Sequence, residues 1–137
     1  MRKTTYFLKL MEILDELHYE NSCGIPIIVE GKRDIQSLRK LGIEGTIISI
    51  SKTPIFKVAD ELRGEGIKEV ILLTDFDRAG RRYAKDIIVE LEPRKIKVNK
   101  SFRRDILKYS RGALKDIEGL YNYIIRRYGN MGYYTYW

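Results

Sequence analysis

Apolar residues recur along the chain in two rhythms. Between residues 5 and 20, Phe7, Leu10, Leu14 and Leu17 fall at intervals of three and four, with Lys9, Glu12, Asp15 and Glu16 elsewhere, which predicts an amphipathic helix. Asn21 to Gly24 break that pattern. Short continuous apolar runs follow at about 25–29, 46–50, 69–74 and 95–98. Their length and their Ile and Val content predict strands buried on both faces. Helical segments separate them. Asp34 can cap a helix running to Leu41, and Gly42 stands where helices commonly end. Thr53-Pro54 reads as a helix start, a capping hydroxyl followed by proline at the first helical position, with Phe56, Ala59 and Leu62 facing inward. A further helix is predicted over 79–91, before Pro93. The order βαβαβαβ predicts an α/β fold, a four-stranded parallel sheet flanked by helices. Beyond it, Ser101 can cap a helix to about Tyr109. A last helix over 113–128 aligns Leu114, Ile117, Tyr121, Ile124 and Tyr128.

No internal repeat or Pro/Ser-rich linker interrupts the chain. The expected organisation is an N-terminal helix (1–24) packing on a core (25–98), with a helical extension (99–137) of the same compact unit. No apolar run approaches the ~18 residues of a membrane span. Met1-Arg2-Lys3-Thr4 lacks the apolar core of a signal peptide. One cysteine, Cys23, excludes an internal disulfide framework and a cysteine zinc site, and is expected as a partly buried small residue. A cytoplasmic protein without membrane association is the expectation.

Charge sharpens the picture. Residues 1–93 hold 15 Lys/Arg and 16 Asp/Glu, whereas residues 94–137 hold 11 Lys/Arg, 3 Asp/Glu and seven of the ten tyrosines. The whole basic excess of the chain, net +7, therefore lies in residues 94–137. Such asymmetry points to a polyanionic partner, or else to a solvated basic surface.

The chemistry concentrates where two apolar runs stop at carboxylates: Ile27-Ile28-Val29-Glu30-Gly31, and Val70-Ile71-Leu72-Leu73-Thr74-Asp75-Phe76-Asp77-Arg78-Ala79-Gly80. In open α/β sheets the ligand crevice lies beyond the carboxyl ends of the strands, so Glu30, Asp75 and Asp77 converge on one crevice. Alternation along an extended backbone predicts that Asp75 and Asp77 share a side. Three neighbouring carboxylates repel unless a cation neutralises them, and a small all-oxygen donor set suits hydrated Mg²⁺.

This pairing of Val29-Glu30-Gly31 with Thr74-Asp75-Phe76-Asp77-Arg78-Ala79-Gly80 resembles a Toprim domain, over roughly residues 24–98. It is similar to the Toprim domains of bacterial-type primases and of the 5S ribosomal RNA maturase, in the form of a small stand-alone, archaeal-type protein. The resemblance implies a Rossmann-like fold and Mg²⁺-dependent (or Mn²⁺-dependent) making or breaking of phosphodiester bonds. It implies Glu30 as acid/base, with Asp75 and Asp77 as metal ligands. Arg78 matches an arginine common in primases and type IA topoisomerases, and would stabilise phosphate charge or pair with Asp75. Type IA topoisomerases carry a third acid where this chain has Ala79.

The remaining candidates each keep a structural alternative. Asp77 can also cap the 79–91 helix. Gly31 and Gly80 permit close approach to a phosphate or metal, or simply turn the chain. Lys32 can meet a phosphate or pair with Glu30, and Lys52, beside Ser51 and Thr53, faces the same sheet edge. Asp34 is a further site acid or a helix cap, and Asp116 and Glu118 are further acids or members of a solvated helix face. Arg111, Arg126 and Arg127 interleave with Tyr109, Tyr121, Tyr123 and Tyr128, the pattern of aromatic stacking with phosphate contacts that binds single strands. Tyr121 and Tyr128 share the apolar stripe and are expected to pack. A small nuclease or processing enzyme acting on RNA or DNA leads. A non-catalytic metal-dependent binding module, within a homodimer or a larger complex, is the alternative.

Overall fold

The structure is a computed structural model and describes residues 2–130. It contains α1 (Lys3–Ser22), β1 (Ile27–Val29), α2 (Lys32–Lys40), β2 (Ile47–Ser49), α3 (Ile55–Gly64), β3 (Glu69–Leu72), α4 (Arg78–Leu91), β4 (Lys97–Asn99), α5 (Ser101–Tyr109) and α6 (Leu120–Asn130), with a single 3₁₀ turn at Glu92–Arg94. The four strands form one all-parallel sheet in the order β2-β1-β3-β4, flanked by six helices. Tyr133, Tyr134, Tyr136 and Trp137 lie outside the described residues.

Side-chain alternation divides the strands between two cores. Ile27, Val29, Ile71 and Leu73 face one side, where they meet Phe7, Leu10, Leu14 and Leu17 of α1, Leu38 of α2, and Phe102 and Ile106 of α5. Ile28, Val70, Leu72 and Val98 face the other, against Val58, Ala59 and Leu62 of α3 and Ala84, Ile87 and Leu91 of α4. The α1 stripe is therefore the predicted one. Leu114, Ile117, Leu120 and Ile124 belong to the first core as well, so the extension is built into the hydrophobic interior.

Several local expectations are corrected. Pro54 itself occupies the N-cap of α3, and no side chain caps that helix, so Thr53 has no capping role. Phe56 is 55% exposed and Val58 is buried in its place. At 100° per residue, positions 55, 58, 59 and 62 share a face, whereas a strict three-residue spacing drifts off it. Ser101 opens α5 rather than capping it; Asn99 Oδ1 receives both the Ser101 N–H (2.9 Å) and its hydroxyl (2.6 Å). Cys23 is exposed.

The largest difference lies in the predicted 113–128 helix. Arg111 (φ 58°) and Gly112 (φ 71°) turn the chain in succession after α5, and α6 starts only at Leu120. Residues 113–119 form a loop instead. Its apolar positions are buried as the periodicity suggested, but its backbone bonds go elsewhere, to the end of β3. The Phe76 N–H donates to Lys115 O at 3.0 Å.

Candidate active site

The strand order reverses direction at β1: from β2 the chain returns past β1 to place β3 on its far side. The carboxyl ends of β1 and β3 thus flank the topological switch point, the usual place for a ligand in an open parallel sheet. Glu30 leaves β1 there and Asp75 leaves β3. The register pairs Ile28 with Leu72, and the ladder closes with the Leu73 N–H on Ile28 O at 2.8 Å. Two residues further on, the Asp75 N–H donates to Glu30 Oε2 at 2.6 Å. The two acids are brought together by sheet register and a backbone-to-carboxylate bond.

Beyond β3 the chain turns at once into α4, and each residue of the turn has a local task. Thr74, fully buried, donates its hydroxyl to Gly80 O at 2.8 Å. Asp77 is the N-cap of α4, its Oδ1 receiving the Gly80 N–H at 2.7 Å. A Cβ at Gly80 would overlap the carbonyl group of Asp75, so this glycine permits close packing of α4 on the Asp75 backbone. Gly31 is different: its φ is −148° and a Cβ there would meet open space. Phe76 is buried between the two aspartates. Both acids therefore lie near Glu30, but in a capped turn and not in an extended strand, which ends at Leu72.

Asp75 is held from two further directions. Its Oδ1 receives the Ile117 N–H at 3.0 Å from the 113–119 loop. Arg103, in the first turn of α5, donates Nε to Thr74 O at 2.9 Å and Nη2 to Asp75 O at 2.6 Å. The Arg103 guanidinium carbon also lies 5.5 Å from the Phe76 ring centroid. Burial lowers the pKa of Arg103, as does Arg81, while Glu30, Asp75 and Asp77 raise it.

The carboxyl groups carry the expected strain. Burial pushes Glu30 up to about 7, with the Asp75 N–H opposing and the charges of Asp75 and Asp77 adding to the rise. Asp75 is also raised, first by burial, with the Ile117 N–H and a hydrogen bond from the Glu30 carboxyl pulling it down. Each of the two carboxyls therefore holds its proton more tightly than a free side chain does. Asp34 is raised to about 6 by burial and then by Asp75, with smaller contributions from Asp116 and Glu118. Its Oδ2 receives the Gly31 N–H at 3.0 Å, so Asp34 is the in-helix partner of the α2 N-terminus and Gly31 holds the cap position.

A cleft of about 510 Å³ opens over this site, with Glu30, Gly31, Lys32, Asp34, Asp75 and Glu118 among its walls. Asp116 and Glu118 are brought to the site's edge: Asp116 acts electrostatically on Asp34 and Asp75, while its Oδ1 receives the Gly119 N–H at 2.8 Å. Ser51 lines the cleft and Lys52 is exposed beside it. Arg78 borders a separate hollow with Ala79 and Arg82. Arg111 lies over the Tyr6 ring (5.4 Å) and Arg127 over the Tyr123 ring (5.4 Å), while Arg126 Nε donates to Asn122 O at 3.4 Å. Tyr128 packs edge-on against Phe7.

Arg103 and the cleft residues Arg33 and Tyr83 were not singled out from sequence. Arg103 left one signal: a cation in the first turn of a helix opposes the helix dipole, and a residue that breaks a local rule has a reason in three dimensions. Among the described residues, no three His, Cys, Asp or Glu side chains are gathered closely enough to hold a metal ion unaided. The donor chemistry nevertheless suits a hard divalent cation. Oxygen donors converge, and burial and neighbouring charge raise both Glu30 and Asp75, a penalty that a cation would relieve.

Comparison with known proteins agrees with this geometry. The Toprim domain family matches residues 25–107. UPF0292 protein MJ1624 of Methanocaldococcus jannaschii is 54% identical over 127 residues, covering 93% of this chain and 98% of that protein. A UPF0292 protein of Thermococcus sibiricus is 38% identical over 120 residues, covering 88% of this chain and 91% of its own length. A solved structure of a protein from Aquifex aeolicus superposes with a TM-score of 0.68 at 32% identity, covering 79% of this chain and 94% of that one. No helix among the described residues is long and apolar enough to cross a membrane. The chain belongs to the Toprim domain family, whose shared chemistry is metal-dependent processing of nucleic acids, and within it to the UPF0292 proteins.

Proposed function

We propose that this protein is a Mg²⁺-dependent nuclease or processing enzyme that cleaves phosphodiester bonds in RNA or DNA. The observation that carries the reading is Glu30 at the switch point, bonded to the Asp75 N–H at 2.6 Å and with its pKa raised to about 7. A carboxyl group with that pKa can accept and return a proton near neutral pH, which is what a general acid/base requires. Asp75 and Asp77, with Glu30 in reach, would hold the metal, which when bound supplies charge neutralisation and Lewis acidity at a phosphate. The Ile117 N–H of the 113–119 loop would keep the Asp75 carboxylate aimed at that position, with Arg103 fixing the Asp75 backbone behind it. Lys32, at the start of α2 and in the cleft wall, would meet a phosphate oxygen.

The alternative, a binding module without cleavage, draws support from Ala79, which supplies no further acid at the turn. Incubation with labelled RNA and DNA in Mg²⁺ or Mn²⁺, against chelator, separates the two. Metal-dependent products are expected, and Glu30→Gln, which keeps the size of the side chain but removes its basicity, slows their formation by about 10²–10⁴. Cleavage by that variant at the wild-type rate removes Glu30 from the mechanism. Binding without products from the wild type leaves the binding module.

A further inference from the structure

We propose that the polar groove between α2 and α6 binds an unpaired nucleotide of a single strand whose neighbouring phosphate enters the carboxylate cleft. This rests on the nucleic-acid reading above and assigns it a substrate class. The groove has a volume of about 210 Å³ and is lined by Arg33, Gln36, Lys40, Glu118, Tyr121 and Asn122. It shares Arg33 and Glu118 with the cleft over Glu30 and Asp75, so the two spaces adjoin.

Those two shared residues form the boundary, an ion pair at 3.6 Å with side chains 80% and 50% exposed. An exposed pair at that distance contributes little to stability, and a phosphate draws Arg33 away from Glu118 at small cost. Behind the boundary stands Tyr121. Its backbone is fixed across the groove, because its N–H donates to Ser37 Oγ at 3.2 Å. The Lys40 ammonium sits over its ring, 5.5 Å from the centroid, and would swing from that face to a phosphate as a base takes its place. An aromatic ring with an adjacent cation is the usual platform for an unstacked base and its phosphate. Gln36 and Asn122 are exposed amides on the same walls, and each carries both a donor and an acceptor for a base edge. A paired base, stacked within a duplex, cannot present its face to Tyr121. The groove therefore selects single strands.

The test uses the full chain in chelator, so that no cleavage intervenes, with short labelled single strands of RNA and of DNA and their duplexes. Tyr121→Ala is expected to weaken single-strand binding about tenfold, Tyr121→Phe to retain it, and neither to change duplex binding. Lys40→Gln, at an exposed position, is expected to lower the salt dependence by about one phosphate contact. Single-strand affinity unchanged in folded Tyr121→Ala and Lys40→Gln overturns the proposal, as does a preference of the wild type for duplex. The RNA and DNA arms identify which strand the groove takes. Tyr121-dependent binding without cleavage in Mg²⁺ or Mn²⁺ supports the groove and overturns the nuclease reading. Cleavage of subsaturating single strands that is insensitive to Tyr121→Ala overturns the groove alone.

Discussion

Glu30 and Asp34 retain their protons in the folded chain to higher pH than free side chains do, and this links the site to stability. Glu30 moves from 4.5 to about 7 and Asp34 from 3.8 to about 6, both led by burial. Between those values the folded state binds more protons than the unfolded state, so unfolding free energy falls as pH rises. The favourable contribution is complete below about pH 4 and is lost through about pH 7. In chelator, denaturant unfolding is therefore expected to show lower stability at pH 8 than at pH 5. Glu30→Gln, which mimics the protonated form, is expected to flatten that slope. A wild-type slope equal to that of the variant would show that Glu30 titrates as an ordinary surface acid. Glu30 was legible in the sequence because it stands where an apolar run stops, and Asp34 because it stands at a helix start. Arg103 was not, since it acts on backbone carbonyls contributed by a turn 28 residues away.

At the scale of elements, hydrophobic pattern located every strand and most helices, because burial on both faces leaves a continuous apolar run. It failed where backbone bonding and burial part company. Leu114 and Ile117 are buried as the helical spacing required, yet their segment is a loop, because its backbone groups are spent on Phe76 and Asp75. Periodicity reports which side chains turn inward and is silent about where the N–H groups point. Helix starts show the same limit. Gly31, Pro54 and Lys100 hold the cap positions of α2, α3 and α5 without a capping side chain of their own. The start of α4 yields a sharp expectation. A Cβ at position 80 collides with the Asp75 carbonyl, which is backbone and cannot rotate aside. Gly80→Ala is expected to cost about 1–3 kcal/mol, the range for overpacking. It should also reduce metal-dependent activity by more than that lost stability explains, because the yielding atoms belong to Asp75. A variant of wild-type stability and activity would mean the turn relaxes freely.

For the molecule as a whole, the basic extension has two parts to play. On the proposed reading its cations would meet a polyanion, while its apolar side chains complete the core that also holds α1. The family match already runs past β4, to residue 107. Magnitudes decide whether the core could stand without the rest. Phe102, Ile106, Leu114, Ile117, Leu120 and Ile124 are all buried. Each such side chain contributes roughly 1.5–3 kcal/mol on burial, so their loss is on the order of 10 kcal/mol. That equals the whole stability of a typical domain, about 5–15 kcal/mol. Deletion also removes Arg103 and the Ile117 N–H from Asp75, and it uncovers Phe7, Leu10, Leu14 and Leu17 on α1. A chain ending at residue 99 is therefore expected to lack a cooperative thermal transition by circular dichroism, at any Mg²⁺ concentration. A truncated chain that melts cooperatively would make the extension an appendage. Cooperative unfolding confined to the full chain would mean that the groove between α2 and α6 and the carboxylate site are parts of one folding unit.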